Sequence, residues 1–421
     1  MKTKIQLFAA FLLLAVGALW LTSCSSEDAV QGSGSQADAT LTLTINTGKV
    51  GSRATAWDGT NSPTTTQENT INRLTVGIFS KDGSKVKTIV ELKEGTGPNS
   101  FTTPAANESQ KTETKANIVT TSLEADDQVL VAVNAPEGTF AGVSKVTDFE
   151  SKTEDAKDAL LQSTITEQTK NYDETKEINT NIPMYGKDKL KGNGNAFTTT
   201  VSVQHQLAKI TLDSLSVNFA QDGPYKDAKF TPTEFFLVNV PEKLAFSNDA
   251  WVNGAGHFHG CNAESTDDSS LSWVSSLPSQ WGTYKGVLAT GALTSATPLS
   301  GKASYKSKSY FYVTPSDDYT TDGKMKLIIA GDFDANGSGT TEKVFYPVAI
   351  NATYAADGTP SAATNGGTDV FKVYPNKNYK CTVVIKTKGT TDPTKNLDPQ
   401  TATVTVTVTD FVDASQTTTF E

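Results

Sequence analysis

Three stretches of this chain hold residue types that could do chemistry. Asp332-Phe333-Asp334-Ala335-Asn336-Gly337 matches the first half of a calcium loop, D-x-[DN]-x-[DN]-G. Such a loop closes with a bidentate glutamate at its twelfth position. Here that position is Lys343, with Glu342 one place early. Strand-like residues 324–330 and 343–350 flank the segment, so a hairpin turn explains it. His257-Phe258-His259-Gly260-Cys261 offers two imidazoles and a thiol, which suits zinc if residues i and i+2 share one face of a strand. Gly254, Gly256 and Gly260 argue for a loop instead. Trp251, Trp273 and Trp281 could form an aromatic platform for sugar rings; packing of a long insertion is the simpler reading. Asp213-Ser214-Leu215 lacks a histidine placed to activate its hydroxyl. His205 lies in a strand-like run and reads as a partly buried spacer. There is no P-loop, no dinucleotide fingerprint and no supportable carboxylate pair. No catalytic residue, metal ligand or cofactor is therefore assigned, and the chain does not read as an enzyme.

Composition points the same way. The chain has 421 residues, with 36 Lys+Arg against 46 Asp+Glu and a formal charge of −10. That balance argues against nucleic acid and against basic adhesion to anionic lipid. Three His and three Cys leave little material for metal or nucleophilic chemistry. A chain rich in Thr, Ser, Gly and Lys suits a surface-exposed β protein. Its length suggests two domains, possibly three.

The N-terminus has the layout of an export signal. Two lysines precede an apolar run, residues 5–21, that is short for a spanning helix. Leu21-Thr22-Ser23-Cys24 resembles a bacterial lipobox, which would make Cys24 the lipidated first residue. Ser25-Ser26-Glu27-Asp28 resembles the acidic surface-export tag of Bacteroidota lipoproteins. The destination is then oxidising or extracellular, where Cys261 and Cys381 could pair; Cys381 falls inside a strand-like run, and two cysteines make no framework.

The elements that would position anything are strands. Residues 40–45 (TLTLTI) alternate apolar and β-branched polar side chains, a half-buried strand. Residues 73–80 end at Lys81-Asp82-Gly83, a turn signal answered by a hairpin partner at 85–92. Residues 128–134 (QVLVAVN) read as a strand buried on both faces. A second unit begins near Val201, with strands expected at 203–212, 214–219, 234–240, 309–313, 324–330, 343–350, 379–386 and 402–409. One helix is expected near 151–166, capped by Ser151 and Glu154. Residues 251–286 read as a long irregular insertion, and no short-period repeat is apparent. Short strands with frequent turns favour β-sandwiches.

Two features remain. Only two of the 36 basic residues are arginines, Arg53 and Arg73. Arg53 sits among small residues before a Gly/Pro-rich loop, a setting open to proteolysis, whereas Arg73 opens a strand and should be less accessible. A chain that meets an arginine-specific protease gains from having few other arginines; a general lysine preference gives the same count. At the far end, residues 403–409 (TVTVTVT) copy the pattern of the leading strand, with Val404, Val406 and Val408 at the same two-residue period. Residues 410–421 (DFVDASQTTTFE) are β-prone and free of Gly and Pro. One strand can replace another in a groove when it offers apolar side chains at the same period.

At this point the sequence resembles a known family. The lipobox, ADATLTLTINTGK, SRA, INRLTVGIFSKDG, QVLVAVN, QLAKITLDSLSV, FFLVNVP, YPNKNYKCTVVIKTKGT and the closing TVTVTVTDF are, in that order, similar to the major fimbrillins of Bacteroidales, the type V pilins. The departure is at the end, where Phe411 and Phe420 stand in place of expected tryptophans. The resemblance implies an all-β chain of two tandem β-sandwich (transthyretin-like, Greek-key) domains with few short helices. It divides the chain into a signal (1–23), a lipidated pro-segment (24–53), an N-terminal domain (54–202), a C-terminal domain (203–409) and a C-terminal donor strand (410–421). It implies lipidation at Cys24 and an arginine-specific cut between Arg53 and Ala54. Leu41, Leu43 and Ile45 would be the plug that leaves, and a neighbour's strand would fill the slot. By pattern the donor is Val404, Val406 and Val408; by resemblance it is Phe411, Val412, Ala414 and Phe420, the reading favoured here.

The implied protein is a shaft subunit of a surface fimbria in adhesion and biofilm. It is lipid-anchored at the outer membrane as a precursor and extracellular once trimmed, a homo-polymer with accessory tip and anchor proteins as partners. Removing residues 1–53 leaves 32 basic against 43 acidic side chains. The competing readings are an accessory tip or anchor protein, and a glycan-binding surface lipoprotein using the tryptophans. An anchor would keep its lipid and lack the cleavable arginine; a tip needs no free tail.

Overall fold

The computed structural model describes residues 39–47, 68–103, 113–156, 181–252, 254, 256–260, 277, 284–288, 291–293, 309–318, 320, 323–355, 359–395 and 402–410. The expectations for Cys24, Arg53, Ala54, Cys261, Trp273, Trp281 and the 411–421 tail fall outside them.

The chain is all-β. In order come β1 (Ala39–Asn46), β2 (Leu74–Phe79), β3 (Val86–Glu94), β4 (Ser100–Thr102), β5 (Glu113–Thr120) and β6 (Gln128–Val133). A short helix α1 (Val146–Glu150) precedes β7 (Thr153–Asp155), β8 (Met184–Lys189), β9 (Lys191–Asn193), β10 (Ala196–Ser202) and β11 (Gln204–His205). Ten of these strands form one sheet, in the order β11-β8-β6-β2-β3-β4-β5-β1-β10-β9.

Period-two patterning explains how β6 is buried on both faces. Val129, Val131 and Val133 join a core with Leu74, Val76 and Ile78 of β2. Leu130 and Ala132 point the other way, into a second cluster with Phe79, Phe140, Phe149 and Phe246. Phe149 of α1 stacks on Phe140, ring centroids 3.9 Å apart. Gly77 of β2 leaves room for it: a Cβ there would lie 2.7 Å from the Phe79 ring and 3.0 Å from Phe149.

The start expected for the helix near 151–166 differs, and its residues 157–166 lie outside the described set. Asp148 accepts backbone hydrogen bonds from Ser144 and Lys145 and so caps α1 at Val146. Ser151 ends this helix instead of starting one. Glu154 lies in β7, which pairs with residues 243–245. Residues 157–180 are outside the described set.

The second half holds β12 (Ala208–Val217), β13 (Lys229–Val238), β14 (Val240–Pro241), β15 (Lys243–Ala245), β16 (His257–Phe258), β17 (Lys285–Val287) and β18 (Tyr310–Val313). It continues with β19 (Lys326–Asp334), β20 (Thr341–Ala349), β21 (Thr353–Tyr354), β22 (Pro360–Ser361), β23 (Lys377–Ile385) and β24 (Ala402–Asp410). Two four-stranded sheets result, β18-β12-β23-β24 and β17-β13-β19-β20. Both bury side chains in one shared core, including Ile210, Leu215, Val383, Val406 and Val408 from the first and Phe235, Leu237, Ile329 and Tyr346 from the second. The two strands expected at 203–212 and 214–219 are one strand, β12, which continues through a register shift at Asp213 against β23.

Candidate functional site

The leading strand lies inside the ten-stranded sheet. β1 runs antiparallel to β5, from Ala39↔Thr120 to Asn46↔Glu113. On its other side it runs parallel to β10, from Thr40↔Ala196 to Asn46↔Ser202. Leu41, Leu43 and Ile45 have no exposed surface, whereas Thr40 and Thr42 face solvent. The alternation expected at 40–45 is thus carried out residue by residue. These three side chains share a core with Phe101, Ala116, Ile118, Phe197 and Val201.

The parallel pairing with β10 has a consequence. Parallel neighbours need a long crossover, and here roughly 150 residues of chain separate the partners. Among the described residues, β1 is held by its two ladders and its buried side chains, and residues 48–67 follow it in the chain. That stretch contains Arg53. On its far side the chain is fastened again at Glu68. The Lys209 ammonium lies 3.0 Å from Glu68 Oε1, and the Tyr312 hydroxyl donates to the same oxygen at 2.6 Å. Lys209 also sits over the Tyr310 ring, 4.7 Å from its centroid. His205 is buried more deeply than the partly buried spacer expected: Nε2 lies 3.0 Å from the Glu68 carbonyl oxygen and Nδ1 3.2 Å from Asn376 Oδ1. Burial holds its imidazole below the ordinary histidine range, against the opposing pull of Glu68.

The second arginine differs from expectation in one respect. Its side chain is exposed; it is the backbone of Arg73 that is held. Arg73 N–H donates to Asn134 Oδ1 at 3.3 Å, and Asn134 N–H donates to the Arg73 carbonyl at 2.9 Å. Sequence reading missed Asn134. Its signal is a shared pattern, Val133-Asn134-Ala135-Pro136-Glu137 and Val238-Asn239-Val240-Pro241-Glu242. Each asparagine ends a buried strand at positive φ, 61° and 62°, a conformation asparagine tolerates better than most residues.

The run at 403–409 lies in β24, which pairs antiparallel with β23 at one end of its sheet. Val406 and Val408 are buried there, and Thr405 and Thr407 are exposed. It is the last strand of that sheet and leads directly into residues 411–421.

The other candidate chemistries resolve into structure. Asp332–Gly337 lies where β19 turns into β20. The Asp334 carboxylate accepts the backbone N–H groups of Asn336, Ser338 and Gly339, and Gly337 has φ 72°. His257 pairs across β14, and His259 Nδ1 accepts the Asn239 N–H at 3.2 Å. Trp251 packs edge-on against Tyr374 beneath Lys372. Cys381 is a free, buried thiol pushed up to about 12, by burial first and then by Asp213. Among the described residues no group of three His, Cys, Asp or Glu is placed to hold a metal ion.

These features define a β protein whose leading strand is inserted between two sequence-distant neighbours. The family described as "Major fimbrial subunit protein (FimA)" matches residues 39–205, the segment that holds this sheet and its slot. No curated protein matches the chain by sequence. The fold is that of a fimbrilin from Porphyromonas gingivalis, at 18% identity and TM-score 0.54, covering 90% of this chain and 99% of that one. A candidate cell adhesion protein from Parabacteroides distasonis superposes at TM-score 0.58 and 13% identity, covering 90% and 98%. Another from Bacteroides eggerthii gives 0.55 and 20%, covering 90% and 97%. The family model thus bears out the resemblance to fimbrillins over residues 39–205, and the structural neighbours bear out the fold.

Proposed function

We propose that this chain is the polymerising shaft subunit of a cell-surface fimbria. It is exported as a lipoprotein on Cys24, cut after Arg53 by an arginine-specific protease, and assembled by strand exchange. The observation that carries this reading is the placement of β1. Its apolar side chains fill the core between β5 and β10, and its link to the remainder contains Arg53. Each buried aliphatic side chain is worth roughly 1.5–3 kcal/mol. Departure of Leu41, Leu43 and Ile45 opens an apolar slot and two unpaired strand edges, which invites another strand.

Before the cut, the tether keeps β1 at high effective concentration beside its slot and excludes a competitor. After the cut, the exchange becomes bimolecular and a neighbour's strand competes. The donor is the 410–421 tail: β24 is committed to its own sheet through Val406 and Val408, so the residues beyond it are the ones left to give. The cut also frees the subunit from its lipid anchor. Adhesion, the role named for the neighbours from Bacteroides eggerthii and Parabacteroides distasonis, is then a property of the fibre and its accessory proteins, and the trimmed subunit is extracellular.

The test is Arg53→Ala. The variant should accumulate as full-length lipidated monomer on the cell. Normal fibres from it would refute the processing step.

A further inference from the structure

We infer that Asn134 makes Arg73 resistant to the protease that cuts after Arg53, so that its side-chain amide decides how many arginine cuts the chain receives. The inference rests on the processing reading above. The problem it answers is visible in the geometry. Arg73 is exposed, and a cut there would hydrolyse the Arg73–Leu74 bond, with water giving its hydroxyl to the carbonyl carbon and a proton to the amine. That would detach residues 54–73 and free the start of β2, a strand buried along its whole length.

A protease needs the backbone on both sides of the bond in an accessible, extended form, so cleavage follows local opening and not side-chain exposure. Here the backbone is pinned. Asn134 Oδ1 accepts from Asn72 N–H at 2.9 Å and from Arg73 N–H at 3.3 Å. Its amide nitrogen donates to the carbonyls of Thr70 and Ile182, at 2.9 and 3.0 Å. One buried amide thus binds three positions on the segment that a protease would have to lift. Immediately after Arg73, Leu74 pairs with Leu92 on one side and Val133 on the other.

The experiment uses the purified full chain, an arginine-specific endoprotease, and mass readout of the new N-termini. Asn134→Gly deletes the amide and keeps a residue at ease with positive φ. The wild type should be cut after Arg53 and not after Arg73, whereas Asn134→Gly should gain a cut beginning at Leu74, at least about tenfold faster than the wild type. Adding Arg73→Lys should abolish that cut. Asn239→Gly removes the matching asparagine of the other V-N-x-P-E segment and should leave Arg73 protected. Prompt cleavage of the wild type after Arg73, continued resistance in Asn134→Gly, or equal opening by Asn239→Gly would each overturn the inference. A chain that resists at Arg53 would count against the processing reading alone, because the Arg73 comparison is read independently.

Discussion

Leu43 lies directly opposite Ala116 across the antiparallel β1–β5 ladder, and both are buried. The pair joins a strand upstream of Arg53 to one well downstream of it. The contact is non-covalent and desolvated, and it depends on a side chain that a replacement strand of the same period could supply, as the proposed exchange requires.

Leu43→Ala should destabilise the uncut chain by about 2–5 kcal/mol, the cost of emptying a core site. The same substitution should leave trimmed, assembled subunits unchanged, because under the proposed processing β1 has left them. Denaturant unfolding of the precursor beside thermal disruption of fibres checks both halves.

Glu68→Ala should behave differently, because Glu68 stays after the cut. It removes the carboxylate paired with the buried Lys209 ammonium, and removing one partner of a buried pair costs about 3–5 kcal/mol. Precursor and trimmed subunit should lose stability alike, as read by chemical denaturation of each.

The chain should also weaken on mild acidification. Burial first, with His257 adding to it, holds the His259 imidazole down at about 4, against about 6.5 when unfolded. Its stabilising contribution is complete above pH 6.5 and is lost as pH falls toward 4, because there the unfolded chain binds the extra proton. Roughly 3 kcal/mol should disappear over that window. In a pH series of melts, His259→Gln should flatten the slope; an unaltered slope would remove His259 from the account. His205 is shifted in the same direction and adds to the loss.

Deleting residues 410–421 should give trimmed, folded monomers that do not ladder on gels, since β24 loses only its last residue and keeps its pairing with β23 from Ala402 to Thr409. Continued polymerisation would move the donor to another part of the chain. Titration with oligosaccharides should leave the tryptophan fluorescence of trimmed protein unchanged; a saturable response would favour the glycan-binding reading.

The sequence made some of this legible and hid the rest for physical reasons. Alternation at 40–45 identifies Leu41, Leu43 and Ile45 as one buried face, because a two-residue period fixes the face whatever the neighbours are. The neighbours themselves were not legible. β10 pairs with β1 from far along the chain, and no local pattern encodes a parallel partner. The cap expected at Ser151 went wrong where two local signals competed. Ser151 and Glu154 fit a cap, but the helix is capped at Lys145, whose N–H donates to the Asp148 carboxylate, and pairing with β15 drew Glu154 into a strand. His205 looked like an alternating strand residue; its burial depends on Glu68 and Asn376, which the sequence places 137 and 171 residues away. Asn134 was readable only by setting its V-N-x-P-E segment beside the second one.

The most direct measurement is the intact mass of subunits and of any bound peptide in washed, sheared fibres. The account predicts chains that begin at Ala54 and fibres free of any fragment containing Leu41, Leu43 and Ile45. Fibres that retain residues 24–53 at one copy per subunit, whether cut or uncut, would contradict strand exchange outright.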